Sequence, residues 1–120
     1  MKLELRENMY VRTKDGIIAK VDYIDNDTIF FDKELYRTYG DSIDFLEKNN
    51  LERIVKASYN IIDILEEGDY VNGHRIEEID FEDEEIFTDS EYYCGVVEFY
   101  NIKSVITHEQ MEQMEYKVGE

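Results

Sequence analysis

The side chains able to do chemistry are overwhelmingly carboxylates. Nine of the fifteen residues from Glu77 to Glu91 are acidic: Glu77, Glu78, Asp80, Glu82, Asp83, Glu84, Glu85, Asp89 and Glu91. Such a run can bind cations, solvate a surface or present a negative field to a partner. A calcium loop requires spaced ligands and a central glycine, and Glu82-Asp83-Glu84-Glu85 has neither. Ile79, Phe81, Ile86 and Phe87 interrupt the charge with residues that favour strands, so the backbone is expected to fold and hold its carboxylates in place. The sharper reading is a mimic of phosphate charge aimed at a basic groove, since duplex DNA carries about one charge per 1.7 Å of axis. The contacting groups would be Glu77, Glu78, Glu82, Asp83, Glu84, Glu85, Asp89 and Glu91, with Tyr92 as an aromatic anchor against arginine. The competing reading is a solvated face that resists aggregation.

No other residues assemble a catalytic constellation. Cys94 is the single cysteine, which excludes an internal disulfide and a cysteine zinc cluster. Set among carboxylates, it reads as a small apolar strand residue rather than an activated nucleophile. His74 follows a turn and His108 begins a short helix, and both read as solvated. The six glycines are scattered, so no phosphate loop exists. No cofactor, metal or enzymatic activity is expected. Tyr10, Tyr23, Tyr70, Tyr93 and Tyr100 fall at strand positions and read as core or rim, whereas Tyr36, Tyr39, Tyr59 and Tyr92 can be exposed.

Composition narrows the partner. The chain has 120 residues and a net charge of −17. Residues 1–60 hold 10 basic and 12 acidic residues, a net −2, and residues 61–120 hold 3 and 18, a net −15. That field repels nucleic acid and anionic membrane and attracts basic protein surfaces. There is no apolar run of membrane-spanning length and no signal-peptide core at the N-terminus, so a cytoplasmic location is the expectation.

The elements that must position these groups are mostly strands. Lys14-Asp15-Gly16, Asn26-Asp27 and Asn72-Gly73 are hairpin signals between β-prone runs. The halves also repeat. Thr28 to Tyr36 aligns without gaps on Glu85 to Tyr93, with five of nine pairs identical. Met9-Tyr10-Val11 matches Asp69-Tyr70-Val71, Gly16 matches Gly73, Ile24-Asp25 matches Ile79-Asp80, and Val55 to Ser58 resembles Ser104 to Thr107. The expected fold is mainly β with short helices (α+β): two tandem SH3-like small barrels or sheets, related by an internal repeat and packed together. The first spans 1–66 with a helical insertion near 41–48. The second, strongly acidic, spans 67–120. Ile61, Ile62 and Leu65 are spaced for helical turns, and Thr107 with Gln110 forms a capping-box pattern opening a helix that carries Met111 and Met114. Tyr116 and Val118 can add a final strand.

Several phrases resemble small acidic proteins encoded by phages and prophages of Gram-positive bacteria. These are Met9 to Lys14, Asn60 to Leu65 leading into Gly68 to Gly73, and Ile102 to Glu112, about half the chain. The resemblance implies a phage-associated origin and a compact β-rich body, and brings no site residues. By analogy with phage inhibitors of restriction and CRISPR effectors, it points to a non-enzymatic accessory protein. Such a protein would bind, and inhibit, a basic host nucleic-acid enzyme as a DNA mimic or anti-CRISPR. Two other classes stay open. One is a module sequestering a nucleotide signal in a cleft. The other is a phage assembly protein forming homo-oligomers through a strand edge.

Overall fold

The computed structural model describes residues 4–32, 37–38 (backbone only), 43–90 and 95–112. The expectations for Tyr36, Tyr39, Glu91, Tyr92, Tyr93, Cys94, Met114, Tyr116 and Val118 lie outside those residues. The fold is mainly β, and the chain divides into two compact units. Unit 1 comprises Met1–Leu35 and Asp41–Ile64, and unit 2 comprises Tyr36–Gly40 and Leu65–Glu120.

Unit 1 is built on β1 (Tyr10–Thr13), β2 (Ile18–Asp25), β3 (Thr28–Asp32), β5 (Phe45–Glu47) and β6 (Ile54–Ser58). The first four form an antiparallel meander, and β6 returns to pair with β1, giving the order β5-β3-β2-β1-β6. Gly16 (φ +85°) and Asn26 (φ +52°) supply the left-handed turns that the sequence signals require. Val11, Val21, Ile29, Phe31, Leu46 and Ile54 are buried together as the core of this sheet. Arg12 is fully buried, and its guanidinium donates to the Ile64 carbonyl at 3.0 Å.

In unit 2, β7 (Tyr70–Val71), β8 (His74–Asp80), β9 (Glu85–Thr88) and β10 (Val96–Glu98) form a second meander, and β11 (Ser104–Ile106) returns to β7. The strand β4 (Arg37–Thr38), contributed from the chain between β3 and β5, adds parallel to β11 at the sheet edge. The two units share one strand order, fourth-third-second-first-fifth. They also share details of register. β2 and β8 each carry an irregularity in their pairing to the next strand, at Val21/Tyr23 and at Ile76/Glu78. The innermost hairpin pairs are Asp25↔Thr28 and Asp80↔Glu85. A 3₁₀ helix joins the fourth and fifth strands in both units, Lys48–Arg53 and Phe99–Asn101.

Three expectations are corrected. Neither sheet closes into a barrel among the described residues; both are open. The helix expected near 41–48 is absent over its described part, where Phe45–Glu47 pairs with β3 and a 3₁₀ helix begins at Lys48. Phe45 and Leu46 alternate exposed and buried, a strand pattern that overrides the helical spacing. Tyr23 and Tyr100, read as core or rim, are 46% and 67% exposed and so not core, and Tyr100 lies in a 3₁₀ helix rather than a strand. The capping box does form: the Thr107 amide donates to Gln110 Oε1 and the Gln110 amide to Thr107 Oγ1.

Asn72 ties the unit 2 hairpin to the loop before β11. It occupies φ +52°, its Oδ1 accepts the Lys103 and Ser104 amides, and its Nδ2 donates to the Asn101 carbonyl. Asn72→Ala removes three hydrogen bonds and leaves alanine in a left-handed conformation. The expected loss is about 2–3 kcal/mol, read as a lower urea midpoint at unchanged slope.

Candidate functional site

The acidic hairpin is formed by β8, the turn over 81–84 and β9. Asp80 shapes the turn: its Oδ1 accepts the Glu82 and Asp83 amides, both at 3.1 Å, and Glu84 closes it at φ +55°. Ile76, Ile86 and Thr88 are buried on one face of the sheet. Residues directly opposite one another share a face, so the outer face reads off the register. One row runs Glu78-Phe87-Val96 across β8, β9 and β10. The next row runs Asp80-Glu85-Glu98. Three carboxylates therefore stand abreast on adjacent strands, at a strand spacing of about 4.8 Å. Like charges directly opposite one another destabilise a sheet, and each of the three is half-buried.

The expected site residues do not all belong to this row. Glu78 and Glu85 lie on the outer face. Glu77 is exposed at the bulge, Glu82 and Asp83 are exposed at the turn, and Glu84 is half-buried beside them. Asp89 extends the pairing instead: its Oδ1 accepts the Arg75 amide and its own amide donates to the Arg75 carbonyl. Glu91 and Tyr92 fall outside the described residues. Glu98 was missed, because it is isolated in sequence and joins the row only through the β9–β10 register. Asp80 stood within the acidic run but was not among the expected contacts.

The equivalent face of unit 1 carries different chemistry. Where unit 2 has Glu78, Phe87 and Val96, unit 1 has Tyr23, Phe30 and Phe45. Tyr23 and Phe30 stack at 4.6 Å between centroids, and Phe45 lies 6.4 Å from Phe30. Tyr23 and Phe45 are 46% and 55% exposed. The flanking row, Asp25-Thr28-Glu47, supplies two carboxylates. An aromatic ladder edged by acid can receive arginine or lysine by cation–π contact. Because its rings are so exposed, Phe45→Ser should cost no more than about 1 kcal/mol of stability, measurable by urea unfolding.

Two other features were not legible in the sequence. An open cleft of about 1010 Å³ in unit 2 is lined by residues including Tyr70, Asn72, Val97, Glu98 and Lys103. His108, expected to be solvated, instead places its Nε2 2.8 Å from Glu66 Oε1 and 3.5 Å from Glu109 Oε1. Among the described residues, no helix is long and apolar enough to cross a membrane. Comparison with protein families, curated proteins and solved structures finds no match to the chain.

Proposed function

We propose that the chain is a non-enzymatic binding protein that docks the outer face of its unit 2 sheet onto a basic surface of a partner protein. The carrying observation is the Asp80-Glu85-Glu98 row, with Glu78 beside it and Glu82 and Asp83 projecting from the turn. An array of like charges across three strands works against folding. Its place on a sheet face with a buried, apolar reverse side gives it the fixed geometry that a groove-filling partner needs. A basic groove shaped for a nucleic-acid backbone is the complementary surface. In this reading the protein inhibits a host nucleic-acid enzyme by occupying that groove, as a phage- or prophage-encoded accessory acting in the host cytoplasm. It would bind neither nucleic acid nor membrane itself.

The two units are, in the same proposal, diverged copies of one SH3-like unit. The repeated phrases support this because they fall on matching strands. Tyr10-Val11 and Tyr70-Val71 open the first strands, Ile24-Asp25 and Ile79-Asp80 end the second, and Ile29 and Ile86, each followed by Phe, pair with Ile24 and Ile79. Gly16 and Gly73 share φ near +85°. The outer faces of the two copies differ, aromatic in unit 1 and acidic in unit 2.

The test uses immobilised protein and lysate of a Gram-positive bacterium, washed at low and then moderate salt. The bait carrying Glu78→Lys, Glu82→Lys, Glu85→Lys and Glu98→Lys serves as the comparison. A nucleic-acid enzyme that wild type retains, that salt releases and that the variant does not hold is the expected result. The same proteins on both baits would overturn the proposed face.

A further inference from the structure

We propose that Glu66, His108 and Glu109 form a binding site for a divalent transition-metal ion of the zinc class, separate from the acidic sheet face. The three residues come from two segments of unit 2 that are 42 residues apart in sequence. Glu66 opens the tight turn to Asp69, closed by an Asp69 amide bond to the Glu66 carbonyl at 3.1 Å, with Gly68 at φ +94°. His108 and Glu109 stand in the helical turn that Thr107 and Gln110 cap.

A buried carboxylate fixes the two segments to each other. Asp69 is fully buried. Its Oδ2 accepts the Glu66 amide at 2.7 Å and its Oδ1 accepts the His108 amide at 2.8 Å. The backbones that carry two of the three ligands are thus clamped by one side chain, which fixes the two segments against each other.

The donor atoms converge on one point of the surface. His108 Nε2 lies 2.8 Å from Glu66 Oε1 and 3.5 Å from Glu109 Oε1, and each residue offers one donor atom within 4.8 Å of the other two. Tetrahedral zinc, with bonds of about 2.0–2.2 Å, holds its ligands about 3.3–3.5 Å apart. Opening the 2.8 Å hydrogen bond by about half an ångström would admit an ion among the three donors and leave a fourth position for water.

The donor set also selects among metals. Imidazole with carboxylates suits zinc and its neighbours, whereas calcium and magnesium prefer oxygen ligands alone. The side chains are partly sheltered, with 36%, 32% and 23% exposure for His108, Glu66 and Glu109. Asp80, Asp83 and Glu85 also gather their oxygens. That cluster is all carboxylate, sits at the hairpin turn, and has Asp80 Oδ1 engaged by two amides. It serves as the internal control.

The experiment titrates the tag-free, chelator-treated 120-residue chain with Zn²⁺ by calorimetry and with Co²⁺ by absorption. One ion per chain and the visible d–d bands of low-symmetry Co²⁺ are expected. His108→Gln and Glu109→Gln should each weaken binding at least about tenfold, and Asp83→Asn should leave it unchanged. Circular dichroism of each metal-free variant confirms the fold, and Glu109→Gln carries the test if His108→Gln fails to fold. Absence of stoichiometric binding would overturn the site. So would binding indifferent to both ligand substitutions, or binding lost with Asp83→Asn.

Discussion

The Glu78→Lys/Glu82→Lys/Glu85→Lys/Glu98→Lys variant should lose at least about 100-fold in affinity for a partner that wild type retains, roughly 2.7 kcal/mol. It should lose no folding stability. The affinity loss follows from position. Glu78, Glu85 and Glu98 occupy neighbouring places on one sheet face, and Glu82 projects from the adjoining turn. Reversal turns attraction into repulsion at each contact. Most of the change should appear as slower association and a reversed salt dependence, because exposed charges act mainly by steering encounter. The stability half follows from the same geometry. Asp80, Glu85 and Glu98 repel one another within the sheet. Even the single Glu85→Gln change should raise stability by a few tenths of a kcal/mol at low salt, an increment that added salt erases. Asp80 is left intact because its carboxylate holds the turn amides. A variant that loses binding only because it unfolds would show a lower urea midpoint, and would not support the face.

Gly95→Ala is the largest expected single-site loss of stability, about 3–4 kcal/mol. Gly95 is buried at φ +72°, and a Cβ there would stand 2.5 Å from the Thr88 carbonyl oxygen and 3.1 Å from that of Ser90. Both contacts are backbone, at or just beyond the end of β9, so relief requires moving the strand that carries Glu85. Thr88 Oγ1 also donates to the Gly95 carbonyl at 2.9 Å, tying the two segments at that point. Gly73→Ala separates the steric effect from the conformational one. Gly73 has φ +84°, and a Cβ added there would meet nothing within 4 Å, so the change should cost only the left-handed penalty of about 1–2 kcal/mol. Equal losses at the two glycines, compared by urea unfolding, would contradict the steric account.

What the sequence disclosed was local, and what it concealed depended on register. Hairpin turns at Gly16, Asn26 and Asn72-Gly73 were legible because left-handed backbone selects glycine and asparagine. The mainly β character followed from β-prone runs between those turns. The acidic hairpin was legible as a composition, with Ile86 anchoring it in the sheet. The carboxylate row was not, since Glu98 meets Glu85 only through the β9–β10 pairing. The segment around Phe45 was misread because its apolar spacing fits a helix as well as a strand, and pairing with β3 decided the matter. The exposed ladder of Tyr23, Phe30 and Phe45 was equally hidden, because aromatic residues at strand positions predict burial by default. His108 and Glu66 are far apart in sequence, and nothing short of the fold brings them to 2.8 Å.

Competition by duplex DNA tests the central claim most directly. An enzyme captured on immobilised wild-type protein is challenged with increasing duplex at constant ionic strength. If the acidic face occupies the groove that nucleic acid uses, duplex releases the enzyme, and the protein in turn displaces labelled duplex from the enzyme with the same apparent affinity. A ternary complex of protein, enzyme and duplex, undiminished by excess of either competitor, would contradict the account.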